Sequence, residues 1–374
     1  MNIDVNELIA SRDMAGHNEA HNKYFTQYDD WRVLARQPFA SADSAGPILA
    51  CLSATLQAAN LTLGVRVLDY GCGTGWLSKY LGYLGCRVTG ADVAQTAIDM
   101  AEKALAADPL SDPARVDFKV IDGIALPFDD GTFERIICFS SFHHVADQRG
   151  TLAEFFRVLK PGGMAIFSEP QEGHSDSEEA QSEMQTYGVI ETEVRIEDMA
   201  KWGNEIGFNQ PQMSFFLISP IGLQYDQFQK ARANGLVRTI GDGAFKEMLE
   251  LRCFSLLKPG ISVADSRSAA DLNGSLSIEL LHVVDDKIHW RASYRNTGTC
   301  EWLPSVTDTM GAVFIGYKTA SVEKRIHLGT NKIECGKIGT VDFTTPVITG
   351  KMVFRLVSEH IAWFGEEVTM DDHR

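Results

Sequence analysis

At 374 residues and 44% hydrophobic content, the chain is ordinary for a globular protein but long for a single core, so two domains are expected. Its formal net charge of −16 speaks against a nucleic-acid partner, which would need a basic surface, and equally against docking on an anionic membrane face. The seven cysteines are scattered, odd in number and without a C-x-x-C pair, so neither a zinc site nor a disulfide framework is expected, which fits a reducing cytoplasm. No stretch approaches the ~18 apolar residues of a membrane span, and the acidic N-terminus lacks the apolar core of a signal peptide.

Residues 1–60 read as helical and loop material rich in aromatics, among them Tyr24, Phe25, Tyr28, Trp31 and Phe39. His17 and His21 lie one helical turn apart, but no third ligand accompanies them. Val65 to Leu68 is a short apolar run, as expected of a strand buried on both faces of a parallel sheet. Gly71, Gly73 and Gly75 follow at once, and then Leu77, Tyr80, Leu81 and Leu84 at helical spacing, with Gly85 as the stop. A strand, a glycine turn and a helix start direct backbone N–H groups at a ligand, and a Cβ there would block close approach.

Further along, a second strand over 86–91 ends at Asp92, where an acid can accept hydrogen bonds from ribose hydroxyls. A helix over 94–106 and a third strand over 116–121 lead to Asp122-Gly123. The turn 126–133 opens a fourth strand, 135–139, that runs into Ser140-Ser141-Phe142-His143-His144. Leu152, Phe155, Phe156 and Leu159 form an apolar helical face, stopped by Lys160-Pro161-Gly162-Gly163. A fifth strand, 164–167, ends at Glu169. Residues 171–194 read as an irregular polar loop facing the substrate, 196–206 as a helix, 212–218 as the sixth strand and 253–257 as the seventh.

The glycine spacing G-x-G-x-G with Asp69 before it resembles motif I of class I S-adenosylmethionine-dependent methyltransferases. The stretches LPFDDGTFERIICFSSFHHV and RVLKPGG are similar to the corresponding parts of small-molecule members of that family. The resemblance implies a Rossmann-like seven-stranded α/β sheet over residues 61–260 and S-adenosylmethionine as cofactor. It implies that Gly71, Cys72, Gly73 and Gly75 hold the methionine part and Asp69 its amino end. Asp92 would take the ribose and Asp122 the adenine, with Gly123 and Ile124 beside the ring, and Val93 and Ser140 would also contact the cofactor. Residues 1–60 would be a helical lid, or else pack on the outside of the sheet. The helical insertion 219–252, carrying Tyr225, Lys230, Arg232 and Arg238, would be a substrate cover or a solvated hairpin.

After a linker over 261–274 the pattern changes to period 2: Ile288, Trp290, Ala292 and Tyr294 alternate with polar residues, as do Leu276, Ile278 and Leu280. With further strands at 311–318, 340–347 and 351–358, residues 275–374 read as an antiparallel β-sandwich. The stretches RNTGTCEWLP and VFRLVSEHIAWFGEE resemble an immunoglobulin-like module on bacterial surface-polysaccharide enzymes, with Trp290, Trp302 and Trp363 as sandwich core rather than sugar platforms.

A hydroxyl acceptor benefits from a general base, and His144, His143 and Glu169 are the candidates, His144 first because adjacent histidines point in different directions. No metal ligands are assigned, although Glu169 with the histidines could alternatively bind substrate hydroxyls or a divalent ion. The turn after the fourth strand is not the N-P-P-Y of amino methyltransferases for DNA, which leaves a small-molecule or glycan substrate. The expected activity is cytoplasmic O-methylation of a sugar hydroxyl in surface-polysaccharide assembly. The rivals are a secondary-metabolite, lipid or quinone methyltransferase, with the sandwich serving a homodimer, and a non-catalytic glycan-binding scaffold.

Overall fold

The computed structural model describes residues 2–28, 30–170, 172–217, 224–234, 252–260, 265–305, 310–347 and 350–371. The chain divides into two compact units, Met1–Leu61 with Val65–Ile261, and Thr62–Gly64 with Ser262–Arg374. In the first unit the strands are β1 (Arg66–Tyr70), β2 (Arg87–Asp92), β3 (Val116–Val120), β4 (Phe133–Phe139), β5 (Leu159–Glu169), β6 (Gln212–Ser214) and β7 (Arg252–Leu257). They form one seven-stranded sheet in the order β3-β2-β1-β4-β5-β7-β6, parallel through β5, with β7 antiparallel to both β5 and β6.

Both faces of this sheet are apolar because successive side chains point to opposite sides. Leu68, Ile136, Cys138 and Phe167 enter one core, while Val67, Ile137 and Ile166 from the same strands enter the other. The helices covering the sheet include α5 (Trp76–Tyr83), α6 (Gln95–Ala106), α7 (Gln148–Val158) and α9 (Ile196–Ile206). The order reverses between β1 and β4, so the strand tips open a crevice there, where α/β sheets bind their ligands.

Before β1 come α1 (Val5–Ala10), α2 (Met14–Thr26), α3 (Arg32–Ala35) and α4 (Ala42–Ala59). Two side chains of α2 fasten it across the strand tips. Asn18 donates to the Asp122 carbonyl at 2.8 Å, and the Asn22 carbonyl oxygen accepts the Thr96 N–H at 2.9 Å.

Three expectations need correction. Helix α7 ends at Val158, and the 160–163 turn falls inside β5, in a break of its ladder with β4 between Leu159 and Met164. Residues 171–194 are not wholly irregular: α8 (Glu178–Tyr187) is capped by the Ser177 hydroxyl and stopped by Gly188 in the left-handed region at φ 72°. The sixth strand is only Gln212–Ser214. Of the insertion, α10 (Tyr225–Asn234) carries Tyr225, Lys230 and Arg232, whereas Arg238 lies outside the described residues.

The second unit holds two antiparallel sheets. One is β12 (Ile338–Pro346), β9 (Lys287–Asn296) and β8 (Gly274–Val284). The other is β11 (Glu323–His327), β10 (Val313–Lys318), β13 (Met352–Ser358) and β14 (Ala362–Met370). The alternation in β9 buries Ile288, Trp290, Ala292 and Tyr294 against Ile315, Phe354 and Leu356 of the other sheet. Trp290 and Trp302 are core, while Trp363 is half-buried with Lys318 and Arg325 over its ring. Neither β11 nor the separate β14 was expected from the sequence, because exposed polar residues interrupt their alternation. Trp290 also donates to the Thr345 hydroxyl at 2.9 Å. Trp290→Ala should therefore destabilise this unit by about 3–5 kcal/mol, read by denaturant unfolding; a loss below about 1 kcal/mol would contradict its place in the core.

Candidate active site

A cavity of about 340 Å³ opens at the tips of β1, β2 and β4. Its floor is Gly71, Cys72 and Gly73 from the first turn, Asp92 and Val93 from the end of β2, and Ile121 and Gly123 beyond β3. Gly71 has φ 69°, and a Cβ there would lie 2.5 Å from Ser141 Cβ, so only glycine lets the turn pass beneath the residues after β4. Gly73 has φ 51°, and a Cβ on it would meet nothing nearer than Phe25 Cζ at 3.7 Å. The bare backbone therefore faces open space.

Asp92 is buried, and its two oxygens accept the N–H groups of Gly73 and Ala94, each at 2.9 Å. Burial raises its carboxyl against the pull of these N–H groups. Ser140, at φ 48°, is a non-glycine residue held in the left-handed region on the cavity wall, the kind of backbone strain that clusters at functional sites.

Four of the expected cofactor residues do not line the cavity. Asp69 accepts from the Ser78 hydroxyl at 2.6 Å, tying β1 to α5, and burial pushes its carboxyl up to about 7. Gly75 starts α5 at φ 71°, where a Cβ would strike Phe118 and Ala101. The exposed Asp122 turns its Oδ1 back to its own loop, accepting from Ile124 at 2.8 Å and Ala125 at 3.0 Å, and Ile124 is 67% exposed.

The state of Asp69 makes a pH prediction. A carboxyl raised above its unfolded value binds its proton more tightly when folded, so its contribution to stability is present at low pH and is lost as pH rises from about 4 to about 7. The melting temperature of Asp69→Asn relative to wild type should increase across that window, and a difference constant from pH 4 to 8 would refute it.

The three candidate bases separate. Glu169 is buried under the turn after β4, where it accepts the N–H groups of Ser141, Phe142 and His143 and also His143 Nδ1 at 2.7 Å. His143 is 5% exposed and does not reach the cavity wall. His144 does. Its Nδ1 donates to the Ile190 carbonyl at 2.7 Å, which leaves the lone pair on Nε2. Burial and the neighbouring His143 hold it down to about 4, so it is neutral near pH 7.

The remaining wall comes largely from α2, whose Met14, His17, Asn18, His21, Tyr24 and Phe25 share one helical face. Leu34, Ile48, Trp76 and Phe139 add apolar surface, and Glu183 of α8 also reaches the wall. Burial and the neighbouring Glu191 raise the Glu183 carboxyl. Glu183 and Ile190 gave no signal in the sequence beyond lying in a polar stretch. The periodic spacing from Met14 to Phe25 could have revealed the α2 face.

Residues 68–167 match the methyltransferase-domain family. They are a methyltransferase domain. The chain is 35% identical over 116 residues to a demethylmenaquinone methyltransferase of Clavibacter sepedonicus, covering 31% of this chain and 45% of that protein. It is 28% identical over 157 residues to a ubiquinone biosynthesis O-methyltransferase of Xanthomonas euvesicatoria pv. vesicatoria, covering 41% and 64%. The chain thus spans less than two thirds of the length of these curated relatives. Among solved structures, a putative methyltransferase in complex with the Haloferax volcanii Trm112 methyltransferase activator aligns with a TM-score of 0.45 at 19% identity, over 63% of this chain and 98% of that one.

The methyltransferase domain supports S-adenosylmethionine as cofactor, and the residues around the cavity fit it. A glycine floor without Cβ atoms, a buried carboxyl at the tip of β2, and apolar Val93 and Ile121 beside Gly123 are residue types that suit an amino-acid end, a ribose and a base.

Proposed function

We propose that the protein is an S-adenosylmethionine-dependent O-methyltransferase that acts on the hydroxyl of a small molecule carrying a flat apolar ring. The observation that carries this reading is the neutral His144 with a free Nε2 on the wall of the glycine-floored cavity. When bound, the cofactor supplies an electrophilic methyl group for in-line displacement. His144 takes the proton from the acceptor hydroxyl as the oxygen attacks, and the Ile190 carbonyl keeps its ring in the competent tautomer. Asp92 accepts from the ribose hydroxyls, Val93 and Gly123 border the base, and Gly71 and Gly73 let the backbone approach the methionine part. Asp69 and Glu169 shape these loops from beneath, while α2 covers the cavity and keeps water from the reacting atoms.

Tyr24, Phe25, Leu34, Ile48, Trp76 and Phe139 favour an aromatic or quinone-like acceptor, which accords with the quinone-pathway relatives. A second reading, methylation of a sugar hydroxyl in surface-glycan assembly, is favoured by the separate β-sandwich unit. Burial of Trp290 and Trp302 leaves that unit without those two as sugar platforms. Incubation with methyl-labelled cofactor and parallel panels of hydroxylated aromatics, nucleotide-sugars and oligosaccharides tests both. Label transfer to the aromatic panel is the expected result, and transfer confined to sugars establishes the second reading. Absence of calorimetric binding of either S-adenosylmethionine or S-adenosylhomocysteine would leave a non-catalytic scaffold.

A further inference from the structure

Beside the cavity lies a second cluster that the methyl-transfer chemistry does not use. His143 stands in the 3-10 turn after β4, His174 in the 3-10 turn 174–176 after β5, and Glu191 four residues beyond α8. His143 Nε2 is 3.6 Å from Glu191 Oε2, and His174 Nε2 is 2.8 Å from the same oxygen. One donor atom from each residue falls within 4.8 Å of the other two.

We propose that His143, His174 and Glu191 form a binding site for a divalent cation of the zinc type, with Glu169 as the outer carboxylate that orients His143.

The arrangement of His143 is that of a metal ligand. Its Nδ1 is engaged by Glu169 at 2.7 Å, which fixes the ring and leaves the Nε2 lone pair directed at Glu191. Two imidazoles and one carboxylate make a His₂Glu set, which suits zinc with a fourth position open. A tetrahedral zinc ion places its ligand atoms about 3.4 Å apart, so the His143–Glu191 separation already fits. The His174 contact, at 2.8 Å, must open by about 0.6 Å. Its side chain, 20% exposed on a short turn, has room to do so.

Glu191 presents two differently placed oxygens, Oε2 toward His143 and His174 and Oε1 toward His144. Glu191 is 2% exposed, yet its Oε1 has no hydrogen-bond partner. His144 Nδ1 lies 3.3 Å from that oxygen, but its proton is spent on the Ile190 carbonyl. The surrounding charge tells the same way. Glu169 and Glu191 are both buried carboxylates, and the histidines that face them are His143, His144 and His174. A buried carboxylate is costly, and a dication held jointly by Glu191 and the two imidazoles balances it. Bound there, the ion would staple the segment 172–191 to the turn after β4, and with it the Ile190 carbonyl that sets the His144 tautomer.

The proposal does not depend on the methyl-transfer reading. The test uses the full chain, stripped with chelator and titrated calorimetrically with zinc, with cobalt substitution read by visible absorption. One ion per chain and the intense bands of a tetrahedral cobalt site are expected. His174→Ala should lose at least about 100-fold in zinc affinity, and Glu169→Gln about 10–100-fold, while circular dichroism stays that of the wild type. Absence of saturable zinc binding by the wild type would overturn the proposal. So would equal affinity in wild type, His174→Ala and Glu191→Gln, which would place the ion on thiols or histidines elsewhere. Glu191→Gln keeps the side chain's shape, so folding failure of one variant does not decide the matter. Cofactor binding measured on the stripped protein reports on the methyltransferase reading separately.

Discussion

Replacing His144 by alanine is expected to lower kcat by about 10²–10⁴-fold, the range that a positioned general base contributes. Affinity for S-adenosylmethionine should stay within about 3-fold of wild type, because the floor that would hold the cofactor is built from residues 71–73, 92–93 and 121–123. His144 reaches the cavity with one nitrogen spent on Ile190 and the other free, whereas His143 lies off the cavity wall and Glu169 is occupied by His143 Nδ1 and three backbone N–H groups. The measurement is steady-state turnover with the best acceptor from the panel, alongside calorimetric titration of the cofactor. Undiminished turnover would pass the role to His21, whose ring packs edge-on against His144 at 5.4 Å. The His21→Ala variant would then show the loss instead.

The second large effect is expected at Asp92. Its carboxylate is at the tip of β2 on the cavity floor, and it also braces the glycine turn through Gly73. In the proposed role Asp92 accepts from the ribose hydroxyls, and losing a charged acceptor costs about 1.5–3 kcal/mol for each hydrogen bond, so Asp92→Ala should weaken cofactor binding by at least about 100-fold. The sheet should survive, since Leu68, Ile136 and Phe167 are packed independently of this side chain. A cofactor affinity unchanged in the folded variant would remove the ribose assignment. A variant that no longer folds would instead make the brace on Gly73 the main role of Asp92, and Asp92→Asn, which keeps one oxygen acceptor, would then separate the two.

Much of the first unit was legible because its signals are local. Apolar runs buried on both faces need consecutive β-formers, a turn at φ 69° needs glycine, and an acid at a strand tip follows its strand directly. Those rules single out Gly71, Gly73 and Asp92, which line the cavity. They could not say where Asp122 would turn its side chain, because a carboxylate followed by free N–H groups two and three residues on can satisfy its own loop as readily as a ligand. Nor could they show that Asp69 faces Ser78 rather than the cavity, which depends on how α5 settles on β1.

By itself, then, the sequence determined the strand order's starting point, the glycine-floored turn, the acid beside it and the change to an alternating sandwich near residue 275. Only the tertiary structure decided that α2 lies over the cavity, which histidine reaches it, and that His143, His174 and Glu191 meet. The reason is one of range. Backbone conformation is dictated within a few residues, whereas a side chain's partner is set by loop closure between distant segments, and chain spacing carries no record of that.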